Sequence, residues 1–138
     1  RSTPKPSSAA SDVYKRQVLA PEVLEHLLNP GLFLTNALDF VADGGQLIVT
    51  VPNALHPARG LLALLGKEVV HPDHKFWFSR KTIQTLLETC GWCVEEIYGY
   101  RSNPSRSLSQ RFVNALLRLV SPFCLGGIVV VARPSTIQ

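Results

Sequence analysis

The run QLIVTV at positions 46–51 constrains the fold of this chain more than any other segment. It is apolar and rich in β-branched residues, with Asp43-Gly44-Gly45 before it and Pro52 after it, residue types that favour turns and end strands. A continuous apolar run of this length is typical of a strand buried on both faces of a sheet. The segment therefore predicts an interior strand of an α/β sheet, preceded by a turn at Asp43-Gly44-Gly45.

Helices are predicted on both sides of this strand along the chain. Asn29 suits an N-cap and Pro30 the first helical position, and the apolar spacing that follows predicts a helix ending near Ala42. Ser79 is a second N-cap candidate, and residues at helical spacing lead from it to Gly91, a common C-cap residue. The alternation favours an open α/β sheet. The other predicted elements are a strand tail at 18–20, a helix over 57–65, strands over 94–100 and 128–132, and a helix over 108–120.

The first 17 residues differ in character from the rest. Residues 1–11 lack apolar periodicity and carry too little hydrophobic area to offset the entropy of ordering them. The next six, DVYKRQ at 12–17, resemble the translated end of a transposase adapter, with a genuine polar linker as the alternative. We therefore expect residues 1–17 to be a disordered leader, an adapter or assembly scar, and residues 18–138 to form the domain.

The net charge of +4 and the pI near 9.2 do not by themselves indicate a nucleic-acid partner. Most of the excess lies in the first 17 residues, and the basic stretch from Arg101 to Arg118 is interpreted as a solvated loop and helix face. The apolar window 112–132 is interrupted by Arg118, Pro122 and two glycines, so no membrane span is predicted.

Three cysteines, an odd number, favour a reducing and hence cytoplasmic setting over a disulfide framework. Cys90 and Cys93 have the C-x-x-C spacing of thiol oxidoreductases. Cys90 is predicted to close a helix, however, where the helix dipole disfavours the thiolate that redox chemistry needs. Two structural thiols are therefore the preferred interpretation. The oligomeric state is not predicted.

Two motifs, EVLEHL at 22–27 and GGQLIVTVPN at 44–53, are followed by HPDH at 71–74 and FS at 78–79, before the helix that ends at Gly91. In this order they resemble the class I S-adenosylmethionine-dependent methyltransferases. The first two are similar to the regions of the fourth and fifth strands of that family. The resemblance implies a Rossmann-like sheet in which this chain supplies strands 4 to 7 with their flanking helices, the C-terminal half of the domain.

The resemblance also implies roles for the residues that follow the two strands. Ligands of open α/β sheets bind beyond the carboxyl ends of the strands. Ala20, Pro21 and Glu22 would border S-adenosylmethionine, and Pro52 and Asn53 would face the chamber where the methyl group is transferred. The expected acceptor is a small, partly apolar molecule, including a lipid- or sugar-linked one.

The family also holds this cofactor with a glycine-rich turn after the first strand and an acidic residue after the second. Neither is found before Val18. We therefore expect that the N-terminal half of the sheet is missing and that the chain is inactive alone, while a full-length parent transfers methyl groups.

Two of these motifs together contain two glutamates and three histidines: Glu22, Glu25, His26, His71 and His74. We expect Glu22, Glu25, His26 and His74 to converge, with His71 or His74 as a general base toward a substrate hydroxyl. The four converging residues also resemble the metal-binding set of small-RNA 3′-terminal 2′-O-methyltransferases. A divalent metal is not favoured, because metal-free members carry the same motif. Two alternatives stay open: a metal-assisted O-methyltransferase, and a non-catalytic or dinucleotide-binding domain.

Overall fold

A mixed four-stranded sheet organises the part of the chain that the structure, a computed structural model, describes: residues 15–68, 70–100 and 125–135. The strands are β1 (Lys15–Pro21), β2 (Val41–Pro52), β3 (Trp92–Tyr100) and β4 (Gly127–Pro134), in the spatial order β1-β2-β4-β3. β1 and β2 are parallel, and β4 is antiparallel to both of its neighbours. The predicted α/β fold class is confirmed.

β2 is the interior strand that its apolar run predicts, with β1 on one side and β4 on the other. Its alternate residues Val41, Leu47, Val49 and Val51 are buried in the main hydrophobic core. The strand begins five residues earlier than the apolar run, so the turn predicted at Asp43-Gly44-Gly45 is wrong.

Those three residues instead form an irregularity inside β2. Lys15 pairs with Val41, and Gln17 pairs with Gln46. Between these two pairs β2 has more residues than β1, so β2 bulges there. Gly44 takes a φ of +71°, and a Cβ on Gly45 would come within 2.8 Å of the Ala42 carbonyl oxygen. Two glycines therefore permit a bulge where their residue types alone favour a turn.

Helix α1 (Pro30–Ala37) begins as predicted and ends sooner. The Asn29 side chain accepts a hydrogen bond from the Leu32 amide at 2.9 Å, which caps the first turn. A 3₁₀ turn, Leu38–Phe40, follows, and Val41 already belongs to β2, so the expected end near Ala42 is wrong. The Trp92 indole donates to the Leu34 carbonyl at 3.0 Å and joins α1 to the start of β3.

Helices α2 (Pro57–Leu64) and α3 (Arg80–Thr89) confirm their predictions. Ser79 and Thr82 form a capping box at the start of α3, and Gly91 follows it with a φ of +87°. α3 packs Ile83 and Leu87 into the core, whereas none of the residues of α2 is buried.

The first strand begins at Lys15, before the expected start of the domain at Val18. Residues 15–17 pair with β2 as part of β1, so placing them in a disordered leader is wrong. Residues 1–14 and the helix predicted over 108–120 lie outside the described residues. Cys90 follows the end of α3 and Cys93 lies in β3, and both are free thiols. Within the described ranges, no helix is long and apolar enough to cross a membrane.

Candidate functional site

The turn after β1 reverses the chain at the carboxyl edge of the sheet. Ala20 is buried, whereas Pro21 and Glu22 are exposed. Glu22 takes a left-handed φ of +51°, which is uncommon for a residue with a side chain. Its amide donates to the carbonyl oxygen of Thr50 at 2.9 Å, so the neighbouring strand holds this conformation in place. A 3₁₀ turn, Leu24–His26, follows directly.

The segment from 70 to 78 packs against this turn and donates hydrogen bonds to its carbonyl oxygens. The Lys75 amide donates to the Glu25 carbonyl at 2.7 Å, and the Lys75 ammonium donates to the His26 carbonyl at 2.8 Å. At its end, the Ala54 amide donates to the Phe78 carbonyl at 2.8 Å. These bonds place the HPDH motif beside the EVLEHL motif, as the sequence predicts.

Three imidazole rings meet there, and we call His26, His71 and His74 the histidine cluster. The His26 and His74 ring centroids lie 4.6 Å apart, edge to face, and the His71 and His74 centroids 5.1 Å apart. Burial, followed by the fields of His26 and His71, lowers the pKa of His74 below its ordinary value of 6.5, although Glu22 opposes this. His74 is therefore a neutral imidazole near pH 7, the form that accepts a proton.

Glu25 lies beneath the histidine cluster and is 1% exposed. Neither carboxylate oxygen has a hydrogen-bond partner among the described residues. Burial is the main cause that raises the pKa of Glu25 above its ordinary value. One ligand atom from each of Glu25, His26 and His74 lies within 4.8 Å of the others, so these three converge as expected.

Glu22, the fourth residue of the predicted set, is near enough for its charge to act on the pKa of both Glu25 and His74, and its carboxylate is hydrogen-bonded to residues outside the set. It accepts hydrogen bonds from the Tyr100 hydroxyl and, at 3.4 Å, from the Thr50 hydroxyl. The Tyr100 ring lies against Gly127, where a Cβ would meet it at 2.2 Å. Burial and the bond to Glu22 raise the pKa of Tyr100 to about 12. Sequence reasoning missed Tyr100, although a glycine at the start of β4 is a recognised sign of close approach.

A cleft of about 420 Å³ opens beside the histidine cluster. Pro52 lines it, whereas the neighbouring Asn53 is 3% exposed. The Asn53 side chain donates to the Leu125 carbonyl at 2.9 Å and accepts from the Leu55 amide at 3.0 Å, which fixes the backbone below the cleft. The other lining residues are Arg59, Val70, His71, Pro72, His74, Phe76 and Trp77.

A family model and a curated relative both match this chain. The family model described as "Methyltransferase domain" matches residues 17–97, more than half of the chain. The human mitochondrial ubiquinone biosynthesis O-methyltransferase is 28% identical over 94 residues, which cover 63% of this chain and 25% of that protein.

Two solved structures share the fold at low identity. One, from Haloferax volcanii, is in complex with the Trm112 methyltransferase activator; it is 14% identical with a TM-score of 0.61, and the match covers 92% of this chain and 57% of that one. The other is a SAM-dependent methyltransferase from Archaeoglobus fulgidus. It is 17% identical with a TM-score of 0.55, and the match covers 88% of this chain and 60% of that one.

In all three comparisons the chain spans less than two thirds of the relative's own length. The family predicted from the motifs is nevertheless confirmed, because the family model extends from β1 into β3 and includes both motif-bearing turns. The chain belongs to the class I S-adenosylmethionine-dependent methyltransferase family.

Proposed function

We propose that the intact protein transfers a methyl group from S-adenosylmethionine to a hydroxyl oxygen of a small, partly apolar acceptor. The observation that carries this proposal is the position of His74, a neutral imidazole in the wall of an aromatic cleft at the carboxyl edge of β1 and β2. Open α/β sheets bind their ligands at this edge. The similarity to an O-methyltransferase supports oxygen as the accepting atom.

The turn after β1 fits one wall of a cofactor site. Pro21 and Glu22 are exposed there, and β1 pairs only with β2 among the described residues. None of the described strands is followed by a glycine-rich turn, so these residues fit part of the site, with Ala20, Pro21 and Glu22 as its proposed border. When bound, S-adenosylmethionine supplies a methyl group on a cationic sulfonium.

His74 is the proposed general base, and His26 and His71 position its ring. An acceptor hydroxyl in the cleft would donate its proton to the neutral imidazole, so that the oxygen becomes a better nucleophile. Phe76 and Trp77, each 38% exposed, offer apolar contact for the body of the acceptor. The chain's own contribution is thus alignment, removal of water and proton acceptance.

Replacement of His74 by Gln in the intact protein tests this role. Without the base, kcat for methyl transfer should fall by about 10²- to 10⁴-fold, and the acidic limb of the pH profile should disappear. Glu96→Gln is the control, because Glu96 is exposed on β3 and does not line the cleft. An unchanged kcat with the same acidic limb in His74→Gln would remove His74 from the reaction.

A second candidate function, metal-assisted O-methyl transfer, is supported by one specific observation. The unpartnered carboxylate of Glu25 lies with His26 and His74 in a group whose ligand atoms are within 4.8 Å of one another. Ligands on one tetrahedral ion are about 3.4 Å apart, so the three side chains would need only a small inward adjustment. Imidazole and carboxylate are ligands that suit manganese or zinc.

Manganese titration separates the two candidates. A bound ion should raise the Tm of the wild type but not of Glu25→Gln, and removing it with a chelator should abolish turnover until manganese returns. If neither Tm nor turnover responds to manganese or chelator, proton acceptance by His74 stands without a metal.

A further inference from the structure

Arg59, on the first turn of α2, separates two clefts. It lines the cleft of about 420 Å³ beside the histidine cluster and a second of about 400 Å³ toward Lys67 and Glu68. Its guanidinium carbon lies 4.9 Å from the centre of the Trp77 ring, and Nη1 donates to the Asn53 carbonyl at 2.6 Å. A ring face and a backbone oxygen therefore hold the guanidinium in one place, and Asn53 is itself anchored below.

The charge of Arg59 has no carboxylate partner among the described residues; the ion pairs there join His71 to Asp73 and Arg133 to Glu95. Arg59 is half-buried, and one of its N–H groups is used by Asn53. A guanidinium offers five N–H donors in a planar fork, which leaves donors available toward the clefts.

Arg59 brings a permanent positive charge to the wall of the cleft beside the histidine cluster. That cleft is lined by Arg59, His71 and His74 together with apolar and aromatic residues, and no acid lines it. Burial is the main cause that lowers the pKa of His56 and of His74, and the field of Arg59 adds to it in both. The Arg59 side of this cleft therefore attracts an anionic group.

We propose that Arg59 binds an anionic group, a carboxylate or a phosphate, on the methyl acceptor. The proposal rests on the proposed function, because it assigns the acceptor to the same cleft. The fork of Arg59 matches two oxygens of either anion, while Trp77 and Phe76 contact the apolar part and His74 faces the hydroxyl. The acceptor class is then a small aromatic or apolar alcohol that carries an anionic group away from the reacting oxygen.

Binding of three probes to the 138-residue chain tests this inference without any cofactor: phenol, 4-hydroxybenzoate and phenyl phosphate. The fluorescence of Trp77, which lines the cleft, gives the readout. Comparison with Trp77→Phe separates the signal of Trp77 from that of the buried Trp92. We expect the two anionic probes to bind about tenfold more tightly than phenol, as a charge-assisted hydrogen bond allows. The tighter of the two shows whether carboxylate or phosphate is preferred.

Arg59→Met should bring both anionic probes to the affinity of phenol and leave phenol itself unchanged, which also shows that the cleft is still folded. Arg59→Lys should recover only part of the difference, because it keeps the charge but loses the fork. Lys67→Gln is the matched control, since Lys67 lines only the second cleft, and its affinities should equal those of the wild type.

Equal affinity of all three probes, failure of all three to bind, or an equal loss for all three in Arg59→Met would overturn the inference. Its failure can be told from failure of the proposed function. Arg59-dependent binding without methyl transfer in the intact protein defeats only the proposed reaction. Methyl transfer with an unchanged KM in Arg59→Met defeats only the anion site.

Discussion

Glu25 is the residue whose position most needs an electrostatic explanation. A carboxylate buried to this degree without a hydrogen-bond partner destabilises a fold unless it takes up a proton or meets a cation. Its raised pKa means that the folded chain binds the proton more tightly than the unfolded chain. The stability it contributes is present below its ordinary pKa of 4.5 and is lost as the pH rises through the folded value.

Glu25→Gln should therefore flatten the pH dependence of the free energy of unfolding in metal-free buffer. We expect the variant to gain on the order of 1 to 3 kcal/mol over the wild type at neutral pH, because a neutral amide is less costly to bury than a charge. Urea denaturation between pH 4 and pH 8 measures this, with the exposed Glu96→Gln as control. Parallel curves for wild type and variant would contradict a raised pKa at Glu25.

Gly127 lets the Tyr100 side chain reach Glu22 across β4. A Cβ at Gly127 would lie 2.2 Å from the Tyr100 ring, so Gly127→Ala should displace the ring and cost about 1 to 3 kcal/mol in unfolding free energy. Tyr100→Ala removes the atoms that clash, and the double variant should lose clearly less than the sum of the two single losses. Additive losses would show that the cost at Gly127 has another source.

At the scale of elements, α3 is stabilised by two fully buried side chains and by its cap. Ile83, Leu86 and Leu87 are spaced as on one face of a helix, which predicts that all three pack against the sheet. Ile83 and Leu87 are fully buried, and Leu86 is only partly buried against the same core. The loss in free energy of unfolding when a side chain is truncated to alanine grows with the volume of the cavity that is left. Truncation of Leu86 and truncation of Leu87 should therefore cost different amounts.

Leu87→Ala should lower the free energy of unfolding by about 2 to 5 kcal/mol, and Leu86→Ala by clearly less. Ser79→Ala removes the cap without touching the core and should cost about 1 kcal/mol. Denaturant midpoints of the three variants measure the order. An equal loss for Leu86→Ala and Leu87→Ala would show that the buried face of α3 is centred between them.

At the scale of the whole molecule, the proposed border of the cofactor site, Ala20, Pro21 and Glu22, lies at one edge of the described sheet. None of the described strands leads into a glycine-rich turn, and the outer edge of β1 has no partner strand there. Calorimetry of the 138-residue chain with S-adenosylmethionine should therefore give no measurable heat of binding, whereas the intact protein should bind it. Micromolar binding by the chain alone would show that these residues suffice.

Elements whose cause is local could be predicted from the sequence. The apolar run of β2, the side-chain caps at Asn29 and Ser79, and the positive φ of Gly91 each depend on a few neighbouring residues. The predictions failed where a distant partner decides the backbone. Asp43-Gly44-Gly45 belongs to a strand because β1 pairs with it, and residues 15–17 are ordered by the same pairing.

By itself the sequence determined the α/β fold class, the family and the meeting of two motifs, because strand patterns and short motifs are written in consecutive residues. Tertiary structure decided which side chains share the site. Lys75 and His26, 49 positions apart, are joined by the bond that places the histidine cluster, and Glu22 turns to Tyr100, 78 positions away. The orphaned Glu25 and the position of Arg59 above Trp77 likewise depend on how separate segments fold over one another, which residue types do not encode locally.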